Sequence, residues 1–283
     1  MNIQKLLPGI KKNVLLKNYT TFKIGGRAKY FYIAKNKEDL IRAITLAKKM
    51  KLPFFILGGG SNLLISDRGF NGLVIKFGQP LSLYVSKGLE WAVGIPGTIQ
   101  GAVCGNAGAF KQSMQDAVKE VEVFDVKTGE IKNFKNKDCQ FSYKDSIFKK
   151  KKNLIILSVK IKNRASEGSE DEDENEVLIA SKKSNAQKIK EYLDYRKERQ
   201  PLNFPSAGSV FKNPPGFSAG ELIDECGLKG KKIGNVKISE KHANFIVNLG
   251  RGEAKDVMRL IKIIKNRVKK KFGVVLEEEI VIL

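Results

Sequence analysis

Apolar positions along the chain alternate between strand-like and helix-like spacing, and the changes of period mark out its elements. Residues 18–34 (NYTTFKIGGRAKYFYIA) turn at Gly25-Gly26 and run into an apolar, aromatic strand. Asn36 stands where a helix N-cap belongs, with Asp39 three residues on. Leu40, Ile41, Ile44 and Ala47 follow at helical spacing, and Lys48-Lys49 fall in the last turn, where a helix dipole favours cations. Pro53 closes that helix, and Phe54–Leu57 read as a short buried strand running into Gly58-Gly59-Gly60-Ser61-Asn62. Further strands are expected at 63–65 and 72–77. A strand, helix, strand, loop, strand order of this kind is α+β in character.

Residues 88–110 (GLEWAVGIPGTIQGAVCGNAGAF) are rich in Gly and Ala, and strands recur at 121–126 and 154–161. Between those strands lies the polar run QFSYKDSIFKKKKN. Residues 166–176 (SEGSEDEDENE) are mostly acidic and read as a solvated loop. An amphipathic helix is expected over 186–197, ending near Pro201. A turn-rich run, a short helix at 221–226 and a strand at 244–248 follow. In the final helix Val257, Ile261, Ile264, Val268 and Phe272 recur on one face, with Gly273 as its C-cap. The chain closes on an expected strand, VVLEEEIVIL.

Charge sharpens the question without answering it. A formal net charge of +22 attracts polyanions. The lysines are nevertheless spread over the whole chain, no zinc-finger or RNP-type pattern occurs, and aromatic residues do not interleave with the basic clusters as a stacking platform requires. These features argue against a nucleic-acid partner and for a solvated Lys-rich surface that favours small anionic ligands. The longest apolar runs fall far short of a membrane span, and the first residues lack the apolar core of a leader. Cys104, Cys139 and Cys226 are scattered without a C-x-x-C pair, as in a reducing compartment. A cytoplasmic location is the expectation.

Three features carry candidate chemistry. In Gly58–Asn62 three glycines are free to take positive φ, so that successive N–H groups turn inward as an anion nest. A strand follows instead of a helix, which separates this loop from Rossmann and P-loop phosphate sites. A tight turn would have the same composition, but the second Gly/Ala-rich stretch, Gly94–Gly108, could bring further amides to one long diphosphate-containing cofactor. His242 is the sole histidine, so no multi-histidine metal site is expected, and within HANFIVN it reads as a packing residue. Ser209, in AGSVFKN, has no base beside it and no G-x-S-x-G elbow. Such a hydroxyl is a poor nucleophile, yet it can give a proton to a carbanion-like centre. A turn serine is the plainer reading of the same residue.

Ten stretches in order make the chain resemble the UDP-N-acetylenolpyruvoylglucosamine reductases, and its compact form is similar to their shorter subtype. They are NYTTFKIGGRA, LGGGSNLLISDRGFNGLVI, GLEWAVGIPGT, GAVCGNAGAF, SYKDSIFK, RKERQP, PSAGSVFKNP, AGELIDECGLKG, HANFIVN and LEEEI. The resemblance implies an α+β fold with a two-subdomain FAD-binding module at 1–165 (subdomains about 1–78 and 79–165). An acidic loop at 166–185 and an α+β substrate-binding domain at 186–283 would follow. It implies FAD held by Gly58, Gly59, Gly60, Ser61 and Asn62 together with Gly94, Pro96, Gly97, Thr98, Gly101 and Ala102. NADPH would be the hydride donor and an enolpyruvyl nucleotide sugar the substrate, in peptidoglycan precursor synthesis. By the same resemblance Ser209 is the proton donor, Glu279 the carboxyl group that polarises the intermediate and Lys144 the cation at the substrate carboxylate. Tyr143, Arg199, Lys212 and Asn213 fall at the substrate's carboxylate, diphosphate or uridine.

Three departures qualify that reading. Lys144 stands where the family motif has arginine; lysine keeps the charge but not the planar fork that grips a carboxylate. Gln79–Lys87 joins two family motifs almost directly, so the second FAD subdomain is expected to be shortened. The acidic stretch 166–176 has no counterpart in the family pattern. Two other readings stay open: an FAD-dependent sugar or lactone oxidase, and a degenerate basic protein that binds nucleic acid.

Overall fold

The computed structural model describes residues 3–162 and 174–283, with side chains in its long helix described from residue 185 on. Along the chain come β1 (Lys11–Leu15), β2 (Arg27–Ile33), helix α1 (Lys37–Lys49), β3 (Phe54–Leu57), β4 (Leu63–Leu64) and β5 (Phe70–Lys76). Then follow α2 (Ile99–Cys104), β6 (Val118–Asp125), β7 (Glu130–Lys135), β8 (Leu154–Ile161) and α3 (Glu174–Arg199). The rest is β9 (Ser206–Ser209), α4 (Ala219–Glu225), β10 (Lys232–Ile233), β11 (Val236–Ile238), β12 (Phe245–Asn248), α5 (Ala254–Phe272) and β13 (Val281–Ile282). These elements gather into two compact units, one formed by residues 1–77 with 199–283 and the other by 78–198.

In the first unit a four-stranded sheet has the order β1-β2-β5-β3. β2, β5 and β3 run parallel, which requires a crossover, and α1 supplies it between β2 and β3. The Asn36 side chain accepts the Asp39 N–H at 2.8 Å and so caps α1, which buries Leu40, Ala43, Ile44 and Ala47 along one stripe. A second, antiparallel sheet has the order β9-β12-β11-β10. Val257, Leu260, Ile261, Ile264 and Val268 of α5 share one core with Val236, Ile238 and Ile246 of this sheet, and α5 stops at Gly273 with φ 72°.

Both ends of the chain build this unit. Phe22, Ile24 and Leu64 lie in the same core as α5. β13 pairs in parallel with β4, Val281 opposite Leu63 and Ile282 opposite Leu64. The Asp67 carboxylate accepts the N–H groups of Ala254 at 2.8 Å and Lys255 at 3.1 Å, capping the positive end of α5. Asn248 donates to Phe22 O at 3.0 Å. By its contacts, therefore, the segment up to Phe77 groups with the C-terminal portion, although the family resemblance had paired 1–78 with 79–165.

The second unit packs α2 against a three-stranded antiparallel sheet, β8-β6-β7, around Val121, Val123, Leu154, Ile156, Ile99 and Val103. In the short connection from Gln79 the chain makes two 3-10 turns, Leu81–Lys87 and Glu90–Ala92. It closes on itself through Leu81 N–H to Gly97 O at 3.0 Å and Ile99 N–H to Gln79 O at 2.9 Å. Leu81, Leu89 and Trp91 bury themselves in the core of this unit.

Several expectations change. β7 was not anticipated, because its EIKNFK alternation is mostly polar, with Ile131 exposed and Phe134 only partly buried. The helix expected over 186–197 spans Glu174–Arg199, so it takes in residues 174–185 of the expected acidic loop. Glu174 and Glu176 open that helix, where acids complement its dipole; residues 166–173 lie outside those described. The closing strand is reduced to Val281–Ile282, preceded by a single bridge between Phe211 and Glu278.

Candidate active site

Ser209 ends β9, opposite Phe245 of β12. Just beyond it, Val210 N–H donates to Asn244 O at 2.8 Å. Asn244, only 3% exposed, accepts Phe211 N–H at 2.9 Å and donates to Phe211 O at 2.8 Å. A buried amide thus acts as a short piece of strand and locks the backbone next to Ser209. Glu279 is tied to the same place, because its N–H donates to Val210 O at 2.8 Å. On its other side Glu279 O accepts the Asn62 side-chain amide at 3.1 Å, and Val281 N–H donates to Asn62 O at 3.0 Å. Ser209, Glu279 and the Gly58–Asn62 loop, separated by long stretches of sequence, are therefore joined by backbone hydrogen bonds within one unit.

The loop itself leaves the carboxyl end of β3, where open sheets with parallel strands hold ligands. Of the three glycines free to take positive φ, only Gly60 uses the left-handed region, with φ 68°. A Cβ on Gly60 would lie 2.2 Å from Tyr19 O, so close backbone contact demands glycine there. Among the described residues, the N–H groups of Gly58, Gly59, Gly60 and Ser61 donate to no protein acceptor. Lys76 places its amine 3.1 Å from Gly58 O, and burial lowers the pKa of that ammonium group. Amide donors without acceptors, beside a lysine, fit an anionic diphosphate.

The second Gly-rich stretch belongs to the other unit, and only part of it offers donors. Thr98 caps α2 by accepting Gly101 N–H at 3.2 Å, and Ala102 N–H donates to Thr98 O at 2.9 Å, so those amides are already used. Gly94 and Gly97, at φ 76° and 148°, have N–H groups with no acceptor among the described residues. Pro96, between them, contributes no donor.

Tyr143 and Lys144 form the tip of a narrow turn in which Ser142 and Asp145 exchange N–H···O bonds of 3.1 Å. Lys144 sits at φ 55°. Asn106 donates to Ser142 O at 2.8 Å, Ser146 Oγ to Cys104 O at 2.7 Å, and Lys149 Nζ to Lys144 O at 3.1 Å. Three side chains that were not singled out in the sequence thus hold the turn. Arg199, which was singled out, is exposed at the end of α3. Arg196, three residues earlier and 7% exposed, donates to Trp91 O at 3.1 Å and lies 5.3 Å from the Phe110 ring centroid, where Tyr192 also stacks. Its Nε has no hydrogen-bond partner among the described residues, and burial lowers its pKa. The four-residue spacing of Tyr192 and Arg196 was the signal available for finding this cluster.

The remaining candidates carry structural duties as well. Lys212 forms an ion pair with Glu277, and Lys265 another with Glu278, the two residues before Glu279. Asn213 Oδ1 accepts Ala219 N–H at 3.0 Å at the start of α4. His242 Nδ1 accepts Asn244 N–H at 3.2 Å, and burial, with Lys229 nearby, lowers its pKa. A half-buried, hydrogen-bonded imidazole agrees with the reading of His242 as a packing residue.

An anion cradle at the carboxyl end of parallel strands, joined to a serine and a glutamate, suits an enzyme with a diphosphate-containing cofactor. Residues 28–87 match the model of the FAD binding domain, and residues 200–283 match that of the UDP-N-acetylenolpyruvoylglucosamine reductase C-terminal domain. The chain is 40% identical to the UDP-N-acetylenolpyruvoylglucosamine reductase of Caldicellulosiruptor bescii, over 94% of this chain and 88% of that protein. It is also 40% identical to the one from Caldanaerobacter subterraneus subsp. tengcongensis, over 96% and 92%. The crystal structure of the UDP-N-acetylenolpyruvylglucosamine reductase from Thermus caldophilus superposes with a TM-score of 0.74 at 35% identity, covering 95% of this chain and 97% of that one. The chain belongs to the UDP-N-acetylenolpyruvoylglucosamine reductase family. The match at 200–283 sets the oxidase reading aside.

Proposed function

We propose that this protein is the FAD-dependent reductase that converts UDP-N-acetylglucosamine enolpyruvate to UDP-N-acetylmuramate with NADPH, in the cytoplasm, for peptidoglycan precursors. The observation that carries this reading is the linkage of Ser209, Glu279 and the Gly58–Asn62 loop through Val210 and Asn62. Among the described residues no helix is long and apolar enough to cross a membrane.

FAD, when bound, supplies the path by which a hydride from NADPH reaches the vinyl methylene carbon of the substrate. The open amides of Gly58–Ser61, with Lys76 beside them, suit its diphosphate. Addition of hydride to the methylene carbon builds negative charge on the neighbouring carbon and its carboxylate. Ser209 Oγ gives that carbon its proton, a task that needs no activating base because the acceptor is itself strongly basic. Glu279 polarises the charge-bearing carboxylate, and Lys144 provides a cation to offset the charge. Tyr143, Arg199, Lys212 and Asn213 bind the substrate's carboxylate, diphosphate and uridine.

The test is product analysis in heavy water. NADPH oxidation should require the enolpyruvyl nucleotide, and the product should gain one solvent deuterium at the carbon next to the carboxylate. NADPH oxidation unaffected by the nucleotide, or an unlabelled product, would overturn the proposal.

A further inference from the structure

We infer that the side chain of Asn62 is a positioning residue for Glu279, linking the glycine loop to the acid that acts on the substrate. This inference rests on the function proposed above. The family resemblance places Asn62 among the cofactor contacts, but its side-chain amide donates to Glu279 O at 3.1 Å. Glu279 is thereby held from both sides of its Cα: its N–H is bonded to Val210 O at 2.8 Å and its C=O to Asn62. Val210 follows Ser209 directly, so the two bonds fix where the Glu279 side chain begins relative to the serine. A catalytic group held by two bonds spends less of its time in unproductive geometries, which matters because small misplacements are costly in rate.

The surrounding backbone shows that the contact is not needed to keep the tail in place. Val281 N–H donates to Asn62 O at 3.0 Å, Leu283 N–H to Leu64 O at 3.0 Å and Ser66 N–H to Leu283 O at 2.6 Å. These bonds are made by main-chain atoms and do not involve the Asn62 side chain. Removing the amide frees the peptide after Glu279 while β13 stays paired with β4.

The experiment compares Asn62→Ala with the wild type in four measurements: melting temperature, FAD affinity by fluorescence, the rate of flavin bleaching by NADPH and the rate of reoxidation by the enolpyruvyl nucleotide. The expected result is a loss of about tenfold in the reoxidation rate alone, the size of one lost hydrogen bond. In a Glu279→Gln background the same change should cost less than about twofold, since neighbours acting through one another are non-additive. Asn62→Leu is close in size, uncharged and without an amide donor, and carries the same expectation, so the question is still decided if the alanine variant does not fold. An unchanged reoxidation rate, a parallel loss in FAD affinity and bleaching, or full additivity with Glu279→Gln would each overturn the inference. Failure of the wild type to be reoxidised by the nucleotide would instead overturn the proposed function.

Discussion

Asn244 exchanges two hydrogen bonds with the backbone of Phe211, accepting its N–H at 2.9 Å and donating to its C=O at 2.8 Å. The arrangement lets a loop residue complete the ladder where β9 ends, and it sets the course of the chain from Ser209 to the bridge between Phe211 and Glu278. Truncation leaves two buried backbone groups without partners, each costing on the order of 1–3 kcal/mol. Asn244→Ala should therefore lose about 3 kcal/mol in urea unfolding. A change below about 0.5 kcal/mol, the scale of ordinary surface substitutions, would mean that the amide is not a structural strut.

Asp67 caps α5 from the far end of the sequence, so its removal tests whether the two ends of the chain act as one folding unit. Asp67→Ala should cost about 1–2 kcal/mol, as for loss of a strong N-cap with its dipole contribution. The cost should appear in a single cooperative transition for residues 1–77 and 199–283, read by hydrogen exchange at β2 and α5. Separate transitions for the two segments would contradict the shared core.

The single histidine gives the molecule a simple titration. Burial, then Lys229, lowers the pKa of His242 in the folded state, while the unfolded value stays near 6.5. Above pH ~6.5 both states are neutral and the group costs nothing. As pH falls below that value, the unfolded chain takes up the proton first and the native state loses stability, until the folded pKa is passed. His242→Gln should flatten this acid-side loss between pH ~6.5 and the folded pKa. Denaturant midpoints at several pH values for both proteins give the comparison; parallel curves would show that His242 is not the source.

Much of this architecture could be read locally, and what could not has a common cause. The Asn36 cap, the apolar stripe of α5 and the limits of β8 follow from short-range pattern, and each is found where expected. β7 escaped because lysine and asparagine mask its alternation. Among the three glycines of the loop, Gly60 takes positive φ and lies against Tyr19 O where a Cβ would clash, and nothing in the local sequence announces that neighbour. The same holds for the LEEEI run. Glu277 pairs with Lys212 and Glu278 with Lys265, and both pairings depend on tertiary contacts. Arg199 drew notice from its motif, whereas burial at Arg196 is a property of the packed helix.

Under the proposed function, Lys144 at the tip of its turn would supply charge but a single-point grip. Lys144→Arg should raise turnover several-fold, because the guanidinium adds a planar fork at a carboxylate while the turn, held by Asn106, Ser146 and Lys149, is unchanged. Lys144→Ala should lower kcat by about a hundredfold, within the range for removal of one charge-stabilising donor. Steady-state kinetics decide it; equal turnover in all three proteins would remove Lys144 from the reaction.

Flavin binding and its redox cycle give the most direct test of the proposed function. Purified protein should show a bound-flavin absorbance spectrum after addition of FAD. It should bleach with NADPH in the absence of oxygen and recover when the enolpyruvyl nucleotide is added. Absence of bound flavin at saturating FAD, or bleached flavin that the nucleotide fails to restore, would contradict it.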